Sequence, residues 1–159
     1  MTTQHSLTQA ALKPLNPTPI IGIVVSAFNE KITHELLIGA KKRLEELSAQ
    51  AETILWVPGA IEIPLIVQHL AKTQRYEAII ALGAVIRGET THYDYVCQQV
   101  SMGCQQVALA HHLPVIFGVL TTENEQQALD RVGGKHGHKG HDAVNAAFAI
   151  IHLLRQNST

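Results

Sequence analysis

Residues 20–26 read IIGIVVS, and the placement of everything else follows from this run. It is almost wholly apolar, rich in β-branched side chains, and bounded by Pro19 before it and Asn29 after it. A short apolar run without polar alternation is the pattern of a strand buried on both faces. Such strands belong to parallel sheets, where each strand needs a crossover helix before the next. The following residues supply one, with Leu36, Ala40, Leu44 and Leu47 at helical spacing within 33–48.

Outward from there the rhythm repeats. Thr53 to Val57 reads as a second strand, stopped by Pro58-Gly59, and 61–73 as a helix with Pro64 in its tolerant first turn. Ala78 to Ala84 is a third strand, Val85 to Thr91 a loop, and about 92–111 a helix. Pro114 to Leu120 is a fourth strand, Glu123 to Val132 a short helix, and GGKHGHKG at 133–140 a glycine-rich loop. A last helix, about Lys139 to Arg155, carries Ala143, Ala146, Ala147, Ile150 and Leu154 on one face. This alternation predicts an α/β three-layer sandwich, a four-stranded parallel sheet with helices on both faces. Residues 1–19, with Pro14, Pro17 and Pro19, read as an N-terminal arm, and 20–159 as a single domain.

Of the 159 residues, 46% are hydrophobic and 16% charged. Soluble domains carry roughly 25% charged residues, so this chain reads most simply as hiding surface against other copies of itself, the alternative from composition being a merely Ala-rich monomer. A net charge of -1 and the lack of a basic stripe argue against a nucleic-acid partner. No apolar run is long enough to span a bilayer and the N-terminus has no hydrophobic signal core, which predicts a cytoplasmic protein without a membrane partner. Cys97 and Cys104 lie on one expected helix, about 10 Å apart at 1.5 Å per residue. That is too far for a disulfide, so both are read as thiols.

In open α/β sheets ligands bind beyond the carboxyl ends of the strands, which singles out residues 26–30, 57–62, 84–92 and 120–124. Phe28 in the first loop reads either as core packing or as a surface for an aromatic ligand. Glu62 reads either as a carboxylate placed against a helix dipole or as an acceptor for substrate hydroxyls. The third loop is the most informative. Gly88 permits close approach, the N–H groups of Glu89 to Thr91 open a helix, and His92 stands beside that anion-attracting terminus. Arg131, Lys135 and Lys139 around the glycines look like an anion clamp. GxxxxGK[ST], GxGxxG and GxSxG are all missing, which sets aside nucleotide, dinucleotide and serine-nucleophile readings. His136, His138 and His141 do not follow a zinc spacing, so no metal is expected.

Four segments, SAFNEKIT, VPGAIEIP, ALGAVIRGETTHYDYV and FGVLTTENEQQALDRVGGKHGHKG, together resemble the lumazine synthase family of riboflavin biosynthesis. The similarity runs in order from Ile20 to Leu153. It implies a flavodoxin-like fold, no cofactor, and a transferase that joins 5-amino-6-(D-ribitylamino)uracil to 3,4-dihydroxy-2-butanone 4-phosphate. By the same resemblance Phe28 stacks on the pyrimidine, Ala60, Ile61 and Glu62 hold the ribityl chain and ring, and Ala84, Val85 and Ile86 meet the pyrimidine edge. Glu89 and Thr90 offer backbone N–H groups to phosphate, and His92 transfers protons. Phe117 and Arg131 come from an adjacent subunit, with Lys139 assisting Arg131. The family forms homopentamers, some of which pack into an icosahedral capsid of sixty subunits. Ala27 and Glu89 depart from it, since arginine and a small residue often stand there. A flavin or lumazine carrier and a structural shell protein are the competing readings. The presence of His92, Arg131 and Lys139 favours the enzyme over both.

Overall fold

The computed structural model describes residues 13–158. β1 (Ile21–Ser26) leads to α1 (Glu30–Glu46), β2 (Ala51–Val57), a 3-10 turn (Ala60–Glu62) and α2 (Ile63–Ala71). β3 (Ala78–Ile86), α3 (His92–His111), β4 (Val115–Thr122) and α4 (Glu125–Leu129) follow. A small hairpin, β5 (Val132–Gly134) with β6 (Gly137–His138), precedes α5 (Lys139–Gln156). The main sheet is parallel throughout, in the order β2-β1-β3-β4. That order reverses direction at β1/β3, as in flavodoxin-like sheets.

The two central strands are buried on both faces because they alternate between two cores. Ile21, Ile23 and Val25 of β1 point into the same cluster as Ala78, Ile80 and Leu82 of β3, under α1 and α5. Val24 and, from β3, Ile79 and Ala81 point the other way, under α2 and α3. Leu36, Ala40 and Leu44 of α1 and Ala143, Ala147 and Phe148 of α5 close the first core. Ile63 and Val67 of α2 meet Val96, Val100 and Cys104 of α3 in the second. Burial pushes the Cys104 thiol up to about 12, leaving it a neutral, inert packing group.

Five expectations are corrected in detail. The outer strands are not buried like the central ones: Trp56 on β2 is 43% exposed and Phe117 on β4 likewise 43%. Each lies on a sheet edge, where a single chain supplies no neighbour. The helix expected at 61–73 opens as the 3-10 turn and becomes α-helical only at Ile63, with Pro64 near its start. The helix expected at 33–48 begins earlier, at Glu30, because Asn29 turns the chain in the left-handed region at φ 61°. The helix expected at 123–132 shrinks to α4, since the Asn124 side chain caps it by accepting from Gln127 N–H at 2.9 Å. The glycine-rich loop folds back as the β5–β6 hairpin, with Gly133 and Gly137 at φ 105° and 77°. Of the expected N-terminal arm, residues 1–12 lie outside the described residues. From Lys13 to Ile20 the chain has no helix or strand, Leu15 packs on the core, and the Pro17 carbonyl accepts from Arg155 Nη1 at 2.8 Å.

The hairpin is fixed to the body by His138. Its Nδ1 accepts from the N–H groups of Gly140 and His141 at 3.1 and 3.4 Å, capping α5. Its ring fills the space that a side chain on Gly39 of α1 would need. An added methyl at Gly39 would overlap the imidazole, so Gly39→Ala is expected to cost about 1–3 kcal/mol despite alanine's better helix propensity. The denaturant midpoint measures it.

Burial holds the His138 pKa below the ordinary histidine value, helped by the neighbouring His141 and opposed by the Glu35 and Asp142 carboxylates. The unfolded chain therefore takes up this proton before the native one does. The stabilising contribution is whole above about pH 6.5 and declines as pH falls towards the lower native value. Thermal melts at about pH 7 and pH 5 should show a smaller acid-side loss for His138→Asn than for the unaltered chain, since asparagine still caps but does not titrate.

Candidate active site

β1 stops pairing with β3 at Val25↔Leu82, yet β3 continues to Ile86 against β4. The β1-facing backbone edge of residues 83–86 is thus left open at the reversal point of the sheet. Asn29 fills part of this gap, its Nδ2 donating to the Ala84 carbonyl at 2.8 Å. The β1–α1, β2–α2 and β3–α3 connections rise around the rest and enclose a cleft of about 490 Å³.

Most of the expected residues meet in this cleft. Phe28 stands at its wall, 71% exposed. An apolar ring so exposed is not packing the core, so the packing alternative for Phe28 fails. Ala60, Ile61 and Glu62 line the second side. Glu62 Oε2 accepts from Gly59 N–H at 2.9 Å, a capping contact that shapes the turn. Its Oε1 has no hydrogen bond among the described residues. The structural and functional readings of Glu62 are therefore compatible, one for each oxygen. Ala84, Val85 and Ile86 form the floor, and Thr90 and His92 the third side. His92 opens the twenty-residue α3, and its N–H approaches Thr90 Oγ1 at 3.3 Å. Glu89 is exposed on the same loop and does not line the cleft.

The remaining expected residues lie elsewhere. Phe117, Arg131 and Lys139 line a second recess of about 390 Å³, formed by β4 and α5 on the far edge of the sheet. Arg131 Nη1 donates to the Gln127 carbonyl at 2.8 Å, and Lys139 Nζ lies 3.6 Å from an Asp142 carboxylate oxygen. Lys135, the third expected cation, lies 3.8 Å from Asp130 instead. Neither recess by itself gathers both the imidazole and the cations.

Some features at the rim went unnoticed in the sequence. Tyr93 lines the cleft, and the Arg87 guanidinium lies 4.3 Å over its ring. Arg87 Nε donates to Glu123 at 2.7 Å and Nη2 to Asp94 at 3.1 Å. These carboxylates hold its pKa above the usual arginine value, Asp94 foremost. The partners are scattered along the chain at 87, 94 and 123, so no local pattern announces them.

Other chemistries find little here. Burial raises the Cys97 thiol, so it is no ready thiolate. Among the described residues no three His, Cys, Asp or Glu side chains gather as metal ligands. Among them, too, no helix is long and apolar enough to cross a membrane.

The geometry can be set beside known proteins. The family model described as 6,7-dimethyl-8-ribityllumazine synthase matches residues 19–155. Proteins of that name from Coxiella burnetii, strains Dugway 5J108-111 and CbuG_Q212, are each 56% identical over 138 residues. The alignment covers 86% of this chain and 91% of each relative. With its sheet order, its rim cleft and a match across nearly the whole described length, the chain belongs to the 6,7-dimethyl-8-ribityllumazine synthase family.

Proposed function

We propose that this chain condenses 5-amino-6-(D-ribitylamino)uracil with 3,4-dihydroxy-2-butanone 4-phosphate to give 6,7-dimethyl-8-ribityllumazine, phosphate and water. One observation carries the mechanism: an apolar cleft with a stacking ring, an open strand edge and a histidine at a helix start.

Phe28 offers a flat face to the pyrimidine, and the open backbone of Ala84 to Ile86 offers hydrogen bonds to its edge. The free carboxylate oxygen of Glu62 accepts from the ribityl hydroxyls or the ring, with Ala60 and Ile61 alongside. The phosphate of the second substrate sits at the start of α3, on the N–H groups of Glu89 and Thr90. The Glu89 side chain, exposed and outside the cleft lining, is compatible with that role for its backbone. Ala27 in place of arginine leaves one fewer cation near the rim.

The reaction then needs positioning and proton traffic. The uracil's primary amine attacks the ketone, and loss of water leaves an imine. Removal of the adjacent C–H proton sends its electron pair towards the carbon that releases phosphate, and the resulting enol becomes a ketone. The ribityl-bearing amine closes the ring on that ketone with loss of a second water. No electrons are gained or lost overall, so the sequence balances without a cofactor. We assign the proton transfers to His92, and its position in the cleft lining supports that role. Holding both substrates together supplies much of the acceleration.

Arg131 and Lys139 complete the anion site from an adjacent copy, with Phe117 closing over the pyrimidine. The separation of the two recesses on one protomer supports this arrangement, because neither alone holds all the parts. A homopentamer, which the family can extend to an icosahedral shell, is the assembly we propose, working in the cytoplasm.

Mixing the two substrates with the protein should produce lumazine absorbance and fluorescence. Binding without turnover would instead indicate a carrier. His92→Ala should lower kcat on the order of a hundredfold, the low end for general acid–base catalysis, because positioning survives. KM should change much less. An unchanged kcat would show that proton transfer by this residue is dispensable.

A further inference from the structure

The loop that would carry phosphate has few supports of its own. Its backbone is anchored at one end by Arg87 N–H to the Thr122 carbonyl, 2.9 Å, and at the other by Asp94 N–H to Thr91, 3.0 Å. Between them residues 87–92 are exposed, and a methyl built on Gly88 would meet nothing within 4 Å. Packing therefore does not set the path of Gly88 to Thr90. The Arg87 side chain spans the gap. Its guanidinium reaches Asp94 in the first turn of α3 and Glu123 just past β4, while its flat face rests on Tyr93.

We infer that Arg87 is a positioning residue: it clamps both ends of the loop so that the N–H groups of Gly88 to Thr90 converge on one anion. This rests on the reading of that loop as the phosphate site. Arg87 does not line the cleft, and its Nε and Nη2 donate to two carboxylates. The planar fork can hold both carboxylates and stack at once, which an ammonium cannot. The three charged side chains are all well exposed. Exposed ion pairs add little to overall stability, so the clamp's effect should appear in binding rather than in folding.

The test measures KM for each substrate, kcat, inhibition by inorganic phosphate, and Tm for Arg87→Gln, Arg87→Lys and Glu123→Gln. Arg87→Gln should raise KM for the butanone phosphate and the inhibition constant for inorganic phosphate by about five- to tenfold, the size of one ordinary hydrogen bond. KM for the ribitylaminouracil and Tm should move little. Arg87→Lys should recover only part of the loss.

Glu123→Gln separates a clamp from a simple cation. Removing a negative charge would tighten phosphate if Arg87 merely attracted it. A weakened clamp loosens phosphate instead, and that is the expected result. Tighter phosphate in Glu123→Gln, or unchanged phosphate constants in Arg87→Gln, would overturn the inference. Calorimetric titration with inorganic phosphate reads the same effect without turnover, so the clamp is judged even if the proposed condensation fails.

Discussion

A parallel sheet covered on both faces has no room for polar chemistry except at its ends, and here one strand ends before its neighbour does. β1 gives up its pairing at Val25 while β3 runs on to Ile86. The β1-facing backbone groups of those last residues must find hydrogen-bond partners outside the ladder. Asn29 takes one carbonyl, and its left-handed backbone starts α1 in the same stroke. The remaining edge opens onto the cleft. The cleft, the entry of α1 and the placement of Phe28 beside Asn29 thus share a single cause, the mismatch in strand length at the reversal of the sheet.

The other edge has a different logic. β4 leaves Phe117 half exposed beside Arg131 and Lys139, cations already leaning on a carbonyl and a carboxylate. The expected hiding of surface among copies, inferred from few charges, has a counterpart in these uncovered edges. The cleft holds the imidazole and the recess beside β4 holds the cations, so each carries part of the proposed site. The union between neighbours that we propose would account for both the composition and the split site.

Much of this was legible in the residues. IIGIVVS and AIIALGA carry the two-sided burial of β1 and β3 in their composition, and the structure places alternate residues in separate cores. The rule that ligands gather at strand ends located the cleft loops. What escaped was set by contacts distant in sequence. Nothing local tells that β2 and β4 would be edges, since apolar runs look alike wherever they sit. The hairpin at 132–138 needs the ring of His138 wedged over Gly39, a contact between residues about a hundred apart. Arg87 likewise finds Glu123 only once β3 and β4 are paired. Glu62 resisted for another reason: its carboxylate has two oxygens, and the cap occupies one.

The claim that the site forms between copies can be tested by complementation. His92→Ala and Arg131→Ala chains would be purified separately, then unfolded together and refolded into mixed assemblies, with incorporation of both confirmed by mass. Each variant alone should be nearly inactive. If His92 and Arg131 act across a boundary, random mixing at equal amounts makes about a quarter of the boundaries intact, and about that share of activity should return. If confirmed mixed assemblies stay as inactive as the separate variants, the two residues serve one protomer's site and the account fails.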